Sequence, residues 1–168
     1  MLFATLPKQG VKVKRIPVVR EKGAAGGFYM APALDGSRDG EFYINLYDMK
    51  SNPSFGLKTL TYHEAVPGHH FQIALNMEQK GLGIMRQNGQ FNAYVEGWAL
   101  YSELLSEEMG LYKEDPWGNL GRLRAELYRA ARLVVDTGLH HKRWTREQTV
   151  EYFYQTTGTS ANDAQGAK

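Results

Sequence analysis

The chain has 168 residues, enough for one domain with a core, and its 42% hydrophobic and 23% charged composition is ordinary for a globular protein. A net charge of +2 gives no electrostatic ground for a nucleic-acid partner. The absence of cysteine excludes disulfides, a thiolate nucleophile and sulfur-ligated zinc.

The first fifty residues read as strands. VKVKRIPVV (Val11 to Val19) alternates up to Pro17, with its basic residues on a solvated face. GGFYMAP (Gly26 to Pro32) is a short apolar-aromatic run, and LDGSRDG (Leu34 to Gly40) is a turn cluster. EFYINLY (Glu41 to Tyr47) sets Phe42, Ile44 and Leu46 on one face and Tyr43, Asn45 and Tyr47 on the other. A small, mostly antiparallel sheet with a hairpin over Asp35 to Gly40 is predicted.

From about residue 56 the period becomes helical. The pattern predicts helices near 57–80, 89–109, 117–137 and 145–156, broken at Gly81 and Gly83, at Gly110 and Pro116, and at Gly138. Phe91, Tyr94, Val95, Trp98 and Leu105 form an apolar stripe on the second helix; Leu120, Leu123, Leu127, Ala131 and Val134 form one on the third. Strands followed by helices indicate an α+β fold, mainly helical, in one segment: strand-rich over 1–50, helical over 56–157, with a small-polar tail at 158–168. No stretch is long and apolar enough to span a membrane. The N-terminus lacks the charged and apolar regions of a signal peptide, and localisation stays open.

Three of the five histidines fall within TYHEAVPGHHFQ (Thr61 to Gln72). A His-Glu pair on a helix, with a second His four residues after the first, is the zincin arrangement: both imidazoles grip zinc and the Glu reaches water. Here Pro67 occupies that fourth position. Pro67 cannot donate to the carbonyl of His63, it pushes Val66 off helical angles, and Gly68 lets the chain recover. A helix interrupted by two looped-out residues brings His69 to the ligand position; a nearly regular one brings His70 there instead. The first is preferred, because a regular helix through Val66 and Pro67 is costly.

A third ligand would come from FNAYVEGWALYSELL (Phe91 to Leu105), where Glu96 and Glu103 share a face amid apolar neighbours and Gly97 offers room for a close helix. A buried glutamate needs a charge partner or a metal; an exposed pair would be a plain solvated face. In ELYRAARLVVDTGLHHKRW (Glu126 to Trp144), Arg129, Arg132 and Asp136 form a stripe opposite the leucines, followed by His140 and His141. A solvated ladder is the plainer reading; carboxylate recognition by Arg and oxyanion stabilisation by His are the functional ones.

HEAVPGHHFQ, YVEGWALYSE and RLVVDTGLHHKRWT, in that order, together with FYMAPALDGSRDGEFYINL, resemble the family known as domain of unknown function 885 (DUF885). Its members resemble gluzincin-type zinc peptidases of carboxypeptidase-like or dipeptidase-like helical fold. The resemblance implies His63, His69 and Glu96 as ligands of one zinc ion per chain and Glu64 as general base. It makes Glu103 a partner that orients a ligand histidine, and His140 a contact to the substrate oxyanion. His70, Arg129, Arg132, Asp136, Tyr43 and Asn45 are further candidates for supporting the site or binding a peptide substrate, with the strand Glu41 to Tyr47 beside the cleft and open to strand addition. One departure is Asp39, where the family pattern has proline. Family members are also several times longer, and the chain fades into TTGTSANDAQGAK where a further segment is expected, so the resemblance implies a piece of a longer protein. The rival readings are a non-catalytic metal-stabilised or peptide-binding module and a helical scaffold with chance histidines. Cleavage specificity and oligomeric state are not set by these residues.

Overall fold

Three short strands and a series of helices, in the predicted order, build the chain. The structure, a computed structural model, describes residues 2–48, 52–89 and 91–158. Most of the predicted tail lies outside them.

Strands β1 (Val11–Arg15), β2 (Gly27–Met30) and β3 (Gly40–Ile44) form a sheet in the order β1-β3-β2. Helix α1 (Val18–Glu21) turns the chain between β1 and β2. The turn cluster closes the β2–β3 hairpin, where Asp35 accepts from the backbone and hydroxyl of Ser37. Strand β2 runs antiparallel to β3, pairing Gly27 with Ile44 and Met30 with Glu41. Strand β1, however, runs parallel to β3, pairing Val11 with Gly40 and Arg15 with Ile44. The sheet is therefore mixed rather than mostly antiparallel. Alternation identifies a strand but carries no record of which neighbour it takes, and β3 is inserted between β1 and β2.

The long first helix of the sequence reading is two helices, α2 (Ser54–Glu64) and α3 (His69–Glu78), interrupted where Pro67 and Gly68 predict it. A five-residue helix α4 (Ile84–Asn88) follows, too short for periodicity to show. Helices α5 (Asn92–Glu108), α6 (Pro116–His140) and α7 (Arg146–Thr157) complete the chain. Helix α6 starts on a capping Asp115, whose side chain accepts from the amide of Gly118, and α7 on a Thr145/Gln148 capping box. Gly138 does not end α6. A Cβ there would lie 2.4 Å from the Trp144 ring, so the glycine serves close packing within the last turns.

Helix α6 packs along α2, where a Cβ on Gly121 would meet the Phe55 carbonyl at 2.2 Å. The α6 face that turns inward carries Gly121, Arg122, Ala131 and Val135; of the predicted stripe only Ala131 is on it, and Leu120, Leu123, Leu127 and Val134 are 46%, 49%, 42% and 40% exposed. On α5 the buried side is Val95, Ala99, Ser102, Leu105 and Ser106, while Phe91 and Tyr94 lie outside. Small Ala and Ser side chains let α5 approach α2, and the Ser102 hydroxyl donates to the carbonyls of Ala99 and Tyr62. A second apolar centre joins α6 to α7 through Ala131, Val135 and Phe153. The fold is α+β and mainly helical.

Candidate metal centre

His63 and Glu64 occupy the last turn of α2. The chain then leaves helical geometry over residues 65–68 and re-enters it at His69. Gly68 has no room for a side chain: a Cβ would lie 1.9 Å from the His63 carbonyl oxygen. Trp98 of α5 fixes the interruption from outside, its indole N–H donating to the Pro67 carbonyl at 2.8 Å. The result is that the imidazoles of His63 and His69 meet edge to face, their centroids 4.7 Å apart.

Glu96 of α5 reaches the same point. Its carboxylate oxygens lie 3.6 Å from His63 Nε2 and 3.7 Å from His69 Nε2. One donor atom from each of the three residues falls within 4.8 Å of the others, so His63, His69 and Glu96 could hold a metal ion. Two imidazoles and one carboxylate suit a catalytic site with an open position. His69 Nδ1 is buried without a hydrogen-bond partner among the described residues, which leaves Nε2 as the atom through which this ring can make a directed bond.

His70 faces the other way. Its Nδ1 is 3.0 Å from the Tyr29 hydroxyl and its Nε2 3.0 Å from the Gln9 carbonyl oxygen. Gly40 makes the space, since a Cβ there would sit 2.6 Å from His70 Nδ1. His70 ties α3 to the sheet, and of the two adjacent histidines it is His69 that joins the cluster.

Behind His63 lies Glu103, 2% exposed, with Oε1 2.7 Å from His63 Nδ1. Arg129 of α6 donates to the same carboxylate at 2.6 Å and 3.2 Å. Its Nη2 also lies 3.0 Å from His63 Nδ1, but a nitrogen already donating its proton to Glu103 cannot accept another. The carboxylate therefore holds the proton on Nδ1 and turns Nε2 toward Glu96. Burial opposes charge on His63, but the hydrogen bond to Glu103 and the nearby Glu96 carboxylate outweigh it and lift the imidazole to about 9. Burial, reinforced by the neighbouring His63, lowers His69 to about 4. The adjacent His63 imidazole holds the Glu96 carboxyl below its usual range.

Glu64 is buried beside these groups and makes no hydrogen bond or ion pair with a described residue. Burial is the main cause of its raised pKa. The carboxyl borders a cleft of about 1220 Å³ that also takes in His63, His69 and Glu96.

The cleft does not gather every residue the sequence proposes. Arg129, Arg132 and Asn45 border it; Tyr43, Asp136 and His140 do not. The Asn45 amide is spent on the carbonyls of Glu21, Ala24 and Ala25, which makes it a loop clamp. Tyr43 donates to Glu41 and stacks on Phe28. His140 is exposed in the last turn of α6, 3.7 Å from Asp136. It lies about 16 Å along the axis from Arg129. The oxyanion contact expected of His140 is thus not made by its position: Gly138 continues the helix and carries His140 away. Gly97 meets nothing, so the close helix approach expected there occurs at Gly121 instead. Strand β3 is the central strand, with both edges occupied, so it cannot accept an added strand. The edge strand bordering the cleft is β2, through Gly27, Phe28 and Tyr29. Sequence reading missed β2 as the cleft edge; the paired glycines of GGFYM are the signal that the backbone is approached closely there.

The model of a family described as bacterial protein of unknown function (DUF885) matches residues 1–167. Among solved structures, the chain is similar to the crystal structure of a protein described as a candidate lipoprotein from Colwellia psychrerythraea, with a TM-score of 0.94 and 59% identity over 98% of this chain. The chain spans 28% of the length of that relative. No curated protein matches. With the family model matching nearly its whole length, the chain belongs to the DUF885 family of bacterial proteins of unknown function.

Proposed function

We propose that this chain is the core of a zinc-dependent peptidase in which His63, His69 and Glu96 hold the ion and Glu64 is the general base. The observation that carries the reading is Glu64 itself: a largely buried residue that pairs with no described residue, stands one residue from a ligand histidine and opens onto the cleft. A purely structural metal site has no use for such a group. The donor set of two imidazoles and a carboxylate favours zinc. When bound, the ion supplies Lewis acidity and makes water a nucleophile near neutral pH. Glu64 receives the proton of the attacking water and delivers it to the leaving amine. Glu103, held by Arg129, keeps His63 in the tautomer that presents Nε2. The free edge of β2 offers backbone groups to an extended peptide, which suits a peptide substrate.

Elemental analysis and peptide hydrolysis test this together. About one zinc per chain is expected, lost in His63→Ala, His69→Ala and Glu96→Ala and kept in His70→Ala. Glu64→Gln is expected to keep the metal and lose hydrolysis by about 10²–10⁴-fold. Hydrolysis unchanged in Glu64→Gln would overturn the assignment. Metal bound without any hydrolysis would favour the non-catalytic module.

A further inference from the structure

Helix α6 brings three arginines to the cleft: Arg124, Arg129 and Arg132. They are not equivalent. The charge of Arg129 is taken by Glu103. The guanidinium of Arg124 lies over the Phe55 ring, 5.8 Å from its centroid, and has no carboxylate. Arg132 makes no hydrogen bond or ion pair with any described residue, although Asp136 stands one turn further along the same helix. Arg124, Tyr128 and Arg132 stand at i, i+4 and i+8, so one side of the helix carries them along the cleft wall. Two cationic side chains without an anion therefore face the space beside the metal cluster.

We propose that Arg132 binds the free terminal carboxylate of the substrate, so that the site removes residues from a peptide's C-terminal end. The proposal rests on the peptidase reading above and narrows it to exopeptidase action. Distance along the helix supports it. Arg129 abuts His63, and Arg132 lies three residues on, about 4.5 Å further along the axis. An extended peptide advances about 3.3 Å per residue. A chain with its scissile carbonyl at the cluster would thus end opposite Arg132 one or two residues later. A guanidinium presents paired N–H groups that match a carboxylate in plane, and in a cleft wall this contact discriminates strongly against an amide, which lacks the charge. The carboxylate could equally belong to an acidic side chain, and the substrates below separate the two sources.

The test uses the zinc-loaded protein and three matched peptides: a free acid, its C-terminal amide, and an amide with glutamate as the last residue. Wild-type protein is expected to cleave the free acid at least tenfold better in kcat/KM than either amide, mainly through KM. Arg132→Ala should abolish that preference, Arg132→Lys should restore part of it, and Arg124→Ala, about 12 Å away along the helix, should leave it in place. Equal cleavage of acid and plain amide by the wild type would overturn the proposal. Selective cleavage of the glutamate amide would overturn it in favour of side-chain recognition. Calorimetric binding of the same peptides to zinc-loaded Glu64→Gln keeps the outcome readable without turnover. Acid-selective binding lost in Arg132→Ala, with no hydrolysis by the wild type, would sink the peptidase reading and leave the carboxylate site standing. Acid and amide bound alike would sink the site itself.

Discussion

Glu103 shows how one buried residue governs a site it does not enter. Its carboxylate serves both His63 and Arg129, so Glu103→Gln leaves Arg129 without its anion and gives His63 a neutral, weaker acceptor. Metal affinity is expected to fall about 10–100-fold. Removing one partner of a fully buried pair costs about 3–5 kcal/mol, and the partial exposure of Arg129 places this case at or below the lower end. Competition with a chromophoric chelator and urea unfolding measure the two effects. At this scale the sequence was informative where chemistry is dense. His63 and His69 were legible from the His-Glu pair and the proline interruption, whereas Glu96 and Glu103 could as well have formed a solvated face; Glu103 is buried and Glu96 is exposed. His140 was not legible, because its place depends on whether Gly138 ends a helix, and that is decided by Trp144, a packing partner that periodicity does not reveal.

Elements are held by similarly local devices. Glu21 at the end of α1 is buried, accepts from Arg15 at 2.8 Å and 3.0 Å, and accepts from the amide of Leu46 at 3.2 Å. The hydrogen bond from Arg15 is the chief reason its carboxyl lies below the usual range. A carboxyl with a depressed folded pKa contributes stability that is complete above its unfolded value of about 4.3 and is lost as pH falls through the folded value. Thermal unfolding followed from pH 7 down to pH 2 should therefore show a loss of Tm in acid that is smaller in Glu21→Gln, whose Tm should already be lower at pH 7. If the two proteins have parallel pH profiles, Glu21 does not clamp α1 to β1 and to the segment that follows β3. The helices were legible from their period and the α2–α3 interruption from proline chemistry. The sheet order was not, because β3 pairs with β1 across an intervening helix and strand, a choice made by tertiary packing.

For the molecule as a whole, the inward face of α6 is built from small residues rather than from its leucines. Glycines, Arg122 and Ala131 turn inward, while Leu120, Leu123 and Leu127 line the outside, with Leu100, Tyr101 and Leu104 of α5 exposed as well. The pattern was misread because close helix contact selects small residues, whereas the periodicity argument ranks large ones. Contiguous exposed apolar side chains promote association. Sedimentation of the chain is expected to show concentration-dependent self-association, reduced by Leu123→Lys with Leu127→Lys at unchanged Tm. A monomer at all concentrations would show that this face is well solvated on its own.

The interruption between α2 and α3 has a mechanical consequence. When two ligands come from one helical turn, withdrawing the ion leaves that helix as it was. Here the donor atoms belong to three separately directed helices, α2, α3 and α5. An ion held by them is a cross-link that closes two loops of backbone, and its binding energy becomes resistance to local opening. Chelation should accordingly speed amide hydrogen exchange in all three helices at once, while α7, which contributes no ligand, keeps its protection.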